Sequence, residues 1–277
     1  MKAMKAMKGD RAEGPLSHRI LVGGIVVVLA VVSSAVGAQE QAPLRREALR
    51  WPTGTFSILA MDPATGEIGG AVQSRVFSVG NGVLWAESGF GVVATQAIVD
   101  VSYGPQALEL LRTGLSAEQV VTQVLANDPD PDPTNWPREG RQFAVLDAKG
   151  NVFAYTGPKA TEWAGNKSCA APHVCTAQGN ILAGPGVVDS MVAAFERTDG
   201  PLRLRLVAAL EGGQRAGGDK RGQQSAAMLI VSTKKNCGIW LHNDVLLRLQ
   251  VDDSPEPIKE LRRLVEHRAA GRKQPGC

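Results

Sequence analysis

GTFSILAMDPATGEIGGAVQSR, residues 54–75, is the stretch that decides the fold. Apolar residues recur at alternate positions from Phe56, which is the period of a β-strand. Residues 62–66 have turn chemistry, because proline presets φ and glycine supplies a positive φ. The small and apolar residues 68–72 are typical of a returning strand that is packed closely on both faces. The stretch therefore predicts a hairpin headed by Thr55, which is either a catalytic nucleophile or an ordinary strand residue.

Residues 1–38 have the three-part design of a secretory signal peptide. Basic residues precede an uncharged apolar run, 20–32, and small residues end at Ala38, the predicted cleavage site. An uncleaved anchor is the alternative, because residues 20–38 approach the roughly 20 residues that span a bilayer. We expect a periplasmic or secreted protein with no stable membrane insertion after cleavage. Residues 39–54 would then form a lead-in segment or propeptide.

The formal net charge of the chain is +3, and all of this excess lies in residues 1–38. Residues 39–277 contain 25 basic and 25 acidic residues. This balance argues against nucleic acid or an anionic surface as a partner. We find no internal repeat and no second linker, so we expect one domain over residues 55–268 and a tail over residues 269–277.

Cys169 and Cys175 are predicted to form a disulfide, since an exported protein meets oxidising conditions. Free thiols and a metal site are the alternatives. A metal site would need more ligands than His173, and the C-x2-C spacing of zinc sites is missing. The acidic loop at residues 128–138 lacks the glycine and the distal glutamate of a calcium loop. We therefore expect no metal and no cofactor.

Predicted strands follow one another in runs, and so do predicted helices, rather than single strands alternating with single helices. Short strand-like segments separated by glycine-containing turns lie in residues 76–97, and two helical patterns follow, the second with Ser116 as its N-cap. Further along the chain, we predict a hairpin at 141–157, a long loop at 163–175, a strand at 178–184, helices at 187–197 and 201–210, strands at 225–231, 237–241 and 245–251, and a helix at 255–268. This order favours α+β or a layered α/β architecture over a doubly wound parallel sheet.

The chain resembles a bacterial family of unknown function, domain-of-unknown-function family 1028, which is grouped with the N-terminal nucleophile (Ntn) hydrolases. The motifs that carry the resemblance are TFSI at 55–58, GAVQSR at 70–75, ATQA at 94–97, QGNILAG at 178–184, AGGDKRGQQSAA at 216–227 and VDD at 251–253. The resemblance covers nearly everything after Gly54. It implies a four-layer αββα sandwich of two antiparallel sheets between helix layers, and it implies less about activity, because a fold does not fix a function.

In Ntn hydrolases, a threonine, serine or cysteine at the mature amino terminus attacks an amide, and its own α-amine is the base. The resemblance therefore implies that Thr55 is the nucleophile. Residues 39–54 stand between the predicted signal cleavage site and Thr55, so a second cut at Gly54–Thr55 is required. Self-processing Ntn enzymes use a junction of this type.

Two further groups of residues are candidates for the site. Ser74 and Arg75 end the returning strand of the hairpin; Ser74 stands where the usual residue is acidic, and Arg75 can hold a carboxylate or merely cap a strand. Thr95 and Gln96 lie among small residues, as polar groups around a pocket do. Asn180 is either a donor to an oxyanion or part of a turn.

The loop at residues 217–225 is the densest functional candidate. Glycines let its backbone approach a ligand closely. Lys220 and Arg221 are candidates to bind an anionic group, Asp219 to orient one of them or the α-amine, and Gln223 and Ser225 to bind substrate. A charged surface turn is the alternative, and the loop does not match a phosphate-binding P-loop.

These patterns favour an exported Ntn-type amidohydrolase that acts on a small amide or a peptide-like substrate. The alternatives are a non-catalytic protein of the same fold that binds a small ligand and an oligomeric scaffold, since Ntn relatives often assemble. The histidines are poor catalytic candidates, and the G-x-S-x-G element of α/β-hydrolases is missing.

Overall fold

The opening hairpin lies at the centre of a six-stranded sheet. The computed structural model describes residues 54–238 and 243–267. β1 (Thr55–Asp62) and β2 (Glu67–Ser74) pair antiparallel from Thr55–Ser74 to Asp62–Glu67. The turn between them uses a positive φ of 68° at Gly66, as the DPATG pattern predicts.

The other strands of the described residues are β3 (Leu84–Glu87), β4 (Gly91–Ala97), β5 (Arg141–Asp147), β6 (Val152–Thr156), β7 (Gly165–Ser168), β8 (Val174–Asn180), β9 (Ser225–Ser232) and β10 (Leu247–Val251). The helices are α1 (Gly80–Val83), α2 (Tyr103–Arg112), α3 (Ala117–Asn127), α4 (Gly186–Arg197), α5 (Leu202–Arg215) and α6 (Pro257–His267). The strand orders are β10-β9-β2-β1-β8-β7 in one sheet and β3-β4-β5-β6 in the other, and all pairs are antiparallel.

Three apolar clusters define four layers. Leu59 and Val72 of the larger sheet pack with Val92 and Leu146 of the smaller sheet, so the two sheets face each other. On the outer face of the larger sheet, strand residues such as Ile58 pack against α4, α5 and α6. On the outer face of the smaller sheet, the strands pack against α2 and α3. The fold is therefore α+β, a four-layer αββα sandwich, as expected.

Two elements differ from the sequence prediction between residues 76 and 175. Residues 76–79 form a turn, where we predicted a short strand, because the Ser225 hydroxyl donates to Val76 O (2.5 Å) and accepts from Val79 N (3.0 Å) in place of a neighbouring strand. The predicted loop at 163–175 contains β7, a polar strand that pairs with β8 at the edge of the described sheet. Because most of β7 is exposed, its sequence has no apolar alternation. Cys237 and Gly238 are not in a strand, and the rest of the predicted strand at 237–241 lies outside the described residues.

The predicted Ser116 cap is present. The Ser116 hydroxyl accepts from Gln119 N, and the Gln119 side chain accepts from Ser116 N, which makes a full capping box at the start of α3. The Cys169–Cys175 disulfide closes the turn between β7 and β8.

The predicted signal peptide, anchor alternative and lead-in segment, together with the tail, lie outside the described residues, apart from Gly54. Within the described part of the chain, no helix has the length and apolar character needed to cross a membrane.

A buried ion pair fixes the start of β5. The Arg141 guanidinium lies 3.1 Å from the Asp128 carboxylate, and both side chains are almost fully buried. The Tyr103 hydroxyl also donates to Asp128. Burial raises the pKa of the Tyr103 phenol above its usual value. For Asp128, burial acts to raise the pKa, but the hydrogen bond from Tyr103 and the charge of Arg141 help to hold it below its usual value.

Asp128→Asn should lower the free energy of unfolding at pH 7 by about 3–5 kcal/mol, because it leaves the Arg141 charge buried without a counterion. Since folding lowers the pKa of Asp128, this stabilisation is present above about pH 4 and is lost as the pH falls through the folded-state pKa. Urea denaturation measures the change. Asp132→Asn in the same loop is exposed and should stay within about 0.5 kcal/mol. Equal denaturation midpoints for the two variants would contradict the structural role of the pair.

Candidate functional site

Four polar residues form one row across the end of the larger sheet. The pairing of β8, β1, β2 and β9 sets Asn180 beside Thr55, Thr55 beside Ser74, and Ser74 beside Ser225. All four are buried, and Thr55 is only 2% exposed. The strand register therefore gathers four residues that are far apart in the sequence.

The carbonyl of Gly54, directly before Thr55, is the centre of the site. It accepts hydrogen bonds from the Ser74 hydroxyl and from Arg221 Nη2 (2.6 Å). The Thr55 hydroxyl donates to Ser74 Oγ at 3.0 Å. Thr55 and Ser74 thus form a chain of hydroxyl groups that ends on the Gly54 oxygen.

Asp219 holds Arg221 in this position. Arg221 Nε and Nη2 bind the two oxygens of Asp219 at 3.1 and 2.7 Å, and Asp219 also accepts from Arg221 N (2.9 Å) and Arg75 N (3.3 Å). A bidentate pair of this kind fixes the plane of the guanidinium as well as its charge. The Asp219 side chain is fully buried, whereas that of Arg221 keeps 21% of its surface.

The glycine-bracketed loop reaches the site through backbone contacts. Gly217 and Gly218 have φ values of 111° and 54°, which glycine adopts without strain. Gly218 O accepts from Ala183 N (3.1 Å), and Lys220 N donates to Ile181 O (3.0 Å). These bonds fasten the loop to the chain that follows β8 and set Asp219 beside Gly54.

Gly54 is required at its position by close packing. A Cβ on Gly54 would lie 2.8 Å from Arg221 Nη2 and 2.8 Å from Asp219 Oδ2. Any larger residue would push the guanidinium away from the carbonyl that it binds.

A layer of buried amides lies below Thr55, between the two sheets. Ser57 donates to Gln96 Oε1 and accepts from Gln178 Nε2, both at 2.6 Å. Gln96 Nε2 donates to Gln142 Oε1 (2.7 Å) and lies 3.5 Å from Thr55 O. Asn180 Nδ2 also donates to Gln142 Oε1, at 3.1 Å. The layer connects the backbone of Thr55 to both sheets.

The other predicted site residues lie nearby with different partners. Arg75 Nη1 donates to Gln223 O (3.0 Å), and Thr95 Oγ1 donates to Gly82 O (2.7 Å). Lys220 forms an exposed ion pair with Glu162. Their contact with a substrate stays a prediction.

Strained backbone surrounds the row of polar residues. Ile181, directly after Asn180, has a φ of 54°, and Ala97, directly after Gln96, has a φ of 67°. A positive φ is a true outlier for a β-branched residue such as Ile181. Backbone strain of this kind is common at functional sites.

The acidic residues of the 128–138 loop bind donors of the chain itself. Asp128 accepts from Asp130 N, Asp130 from Arg138 N, and Asp132 from Asn135 N. Within the described residues, no group of three or more histidine, cysteine or acidic side chains is placed to hold a metal ion.

The sequence model of DUF1028, a family of unknown function, matches residues 55–261. The chain belongs to the DUF1028 family. The matched region begins at Thr55 and includes every strand and helix described above except the last turns of α6.

Comparison with solved structures finds the DUF1028 protein SPO2555 from Silicibacter pomeroyi. It is 33% identical, with a TM-score of 0.66 over 77% of this chain and 85% of that one. Anbu, the ancestral β-subunit, from Yersinia bercovieri is 11% identical, with a TM-score of 0.35 over 75% and 91%. A Gly-1 mutant of Anbu from Hyphomicrobium sp. strain MC1 is also 11% identical, with a TM-score of 0.30 over 77% and 93%. No curated protein sequence matches the chain.

Sequence reasoning missed Ser57, Gln142 and Gln178, the inner members of the amide layer. A signal for the two glutamines exists, because Gln142 directly precedes the apolar run 143–146 of its strand and Gln178 follows small residues in its strand. A glutamine in a strand that is buried on both faces must find hydrogen-bond partners inside the protein.

Gln142→Leu should lower the free energy of unfolding by about 2–3 kcal/mol, because it leaves the amide donors of Gln96 and Asn180 without their acceptor in a buried layer. Urea denaturation measures this loss. Gln123→Leu, an exposed substitution of the same kind on α3, should change it by less than about 0.5 kcal/mol. A Gln142→Leu protein as stable as the wild type would show that the layer does not support the Thr55 strand.

Proposed function

We propose that the protein is an Ntn-type amidohydrolase whose nucleophile, Thr55, is released by cleavage of the Gly54–Thr55 bond by the protein itself. The observation that carries the proposal is the pair of donors, Ser74 and Arg221, on the Gly54 carbonyl. The start of the family match at Thr55 also supports it.

The contacts at Gly54 suit an attack by the Thr55 hydroxyl on the carbonyl carbon of Gly54. As the Thr55 oxygen bonds to this carbon, its proton passes to Ser74, and the Ser74 proton passes to the Gly54 oxygen. Arg221 stabilises the negative charge that this oxygen carries before the proton reaches it. The C–N bond then breaks as the proton on the Gly54 oxygen passes to the nitrogen, which leaves an ester on Thr55 Oγ and a free α-amine.

One water molecule completes the reaction. It hydrolyses the ester, and the products are a carboxyl group on Gly54 and a threonine with a free amine and a free hydroxyl. An external protease would have poor access to this bond, because Gly54 and Thr55 are both buried. Self-cleavage therefore explains the release of Thr55 better than an external cut.

The same groups would then act on a substrate. Once Gly54 has left, a substrate carbonyl can take the place of the Gly54 carbonyl, with Arg221 and Ser74 as donors to its oxygen. The α-amine of Thr55 has an unperturbed pKa of about 7.7–8.0, which suits a general base near neutral pH. A small amide or a peptide-like molecule is the proposed substrate, and an exported protein is the proposed setting.

Arg221→Met should slow the appearance of a chain that begins at Thr55 by about 100-fold, because it removes a donor to the oxyanion. Thr55→Ala should stop it, and Thr55→Ser should retain it. Intact-mass spectrometry of the purified proteins over time measures the fraction cleaved.

Arg197→Met, at an exposed arginine on α4, is the matched control and should be cleaved like the wild type. Arg221→Lys keeps a positive charge beside Asp219. Comparison with Arg221→Met therefore shows whether slow cleavage comes from the lost donor or from misfolding. Cleavage of Thr55→Ala at residue 54 would exclude the Thr55 hydroxyl as the attacking group.

The processed protein should hydrolyse N-acyl 4-nitroanilides, with a rate that rises as the pH passes through the pKa of the α-amine, since only the free amine accepts a proton. Thr55→Ala should release no 4-nitroaniline. Binding without turnover by processed protein would indicate the non-catalytic ligand-binding alternative. Turnover by Thr55→Ala at the wild-type rate would rule out the assigned nucleophile.

A further inference from the structure

An uncharged cavity of about 360 Å³ lies beside Thr55. Thr55, Thr95 and Gln96 are among its lining residues, so it adjoins the site described above. A second cavity of about 910 Å³ is lined by β3, α2 and residues near 235 and 248 and does not reach Thr55.

The wall of the smaller cavity is largely apolar. Its apolar side chains are Val76, Phe77, Val79, Val83, Val99 and Val101. Across the part of the chain that the structure describes, no charged side chain lines it. The charged groups of the site, Asp219 and Arg221, contact Gly54 and are absent from this wall.

Two exposed apolar residues belong to the same wall. Phe77 is 64% exposed and Val101 is 49% exposed, and these are the large apolar side chains that stand out on the described surface. Exposed apolar surface beside a cavity commonly marks a binding site. The cavity is therefore open to a ligand where these residues lie.

The backbone of the wall is held in place without a ligand. The Ser225 hydroxyl binds Val76 O and Val79 N, and Ser78 N donates to Asp252 O (2.9 Å). Ser78 keeps a positive φ of 54° in this arrangement. A preformed apolar cavity with few polar groups is the usual form of a small-molecule site.

We propose that this cavity binds the acyl group of the substrate and selects short, uncharged, apolar acyl amides. This inference rests on the proposed function, because Thr55 is the residue that would take the acyl group. A volume near the lower end of the range for ligand pockets suits a short chain or a single ring. An acyl group with a carboxylate would lose its hydration against this wall without gaining a counterion.

The test compares butyryl 4-nitroanilide with succinyl 4-nitroanilide, which has the same number of carbon atoms and one added carboxylate. The processed protein should cleave the butyryl compound at least about 10-fold faster in kcat/KM. From acetyl to butyryl, each added methylene should raise kcat/KM about fourfold, as burial of a CH₂ group does. Equal rates or a preference for succinyl would overturn the acyl assignment and leave the amidohydrolase proposal standing.

Val101→Lys supplies a cation at the wall and should raise the succinyl-to-butyryl ratio of kcat/KM by about 10-fold. Val101 is half exposed, so the substitution is compatible with folding. Ala64→Lys adds the same charge in the exposed β1–β2 turn and is the matched control, with an unchanged ratio. An unchanged ratio in Val101→Lys would overturn the acyl assignment.

A binding measurement tests the acyl cavity separately from the proposed hydrolysis. If no anilide is cleaved, saturation-transfer NMR with a chain that begins at Thr55 tests the cavity alone, because Gly54 is then absent from the place of the substrate carbonyl. Binding of butyryl 4-nitroanilide that Val101→Lys weakens, with no binding of the succinyl compound, would support the acyl cavity while the hydrolase proposal fails. No binding of either compound would overturn the cavity assignment.

Discussion

The hydrogen bond from Arg221 to the Gly54 carbonyl is the contact on which the rest of the site depends. It needs Asp219 to hold the guanidinium, and it needs glycine at position 54, because a Cβ there would lie 2.8 Å from Arg221 Nη2. It also needs the glycines at 217 and 218, whose positive φ values turn the loop toward β1. One backbone oxygen thus links the end of the central hairpin to a loop more than 160 residues away.

The buried amide layer imposes a second constraint. Ser57, Gln96, Gln142 and Gln178 lie between the two sheets. Each must find a partner because an unsatisfied buried polar group costs about 1–3 kcal/mol. The layer fixes the spacing of the sheets directly below Thr55. The chain keeps this polar layer at the same end of the sandwich as the strained residues Ala97 and Ile181.

The opening hairpin and the pairing of Thr55 with Ser74 could be predicted from sequence, because the turn between the two strands is local and sets their register. The four-layer arrangement was predicted from the resemblance to the DUF1028 family. The contact between Arg221 and Gly54 could not be predicted, since it depends on how the 217–222 loop is fastened to the chain after β8. Gln142 and Gln178 were missed because both faces of these strands are buried, so no alternation marks the inner face. The polar edge strand β7 was missed for the opposite reason, since little of it is buried.

The most direct test of self-cleavage is the amino-terminal sequence and intact mass of chains that start at residue 39, incubated over a 100-fold range of protein concentration. An intramolecular attack by Thr55 predicts a product that begins at Thr55 and appears with a first-order rate constant independent of concentration. A chain that stays intact from residue 39, or a cleavage rate constant that rises with protein concentration, would contradict the assignment of Gly54–Thr55 as a self-processing bond.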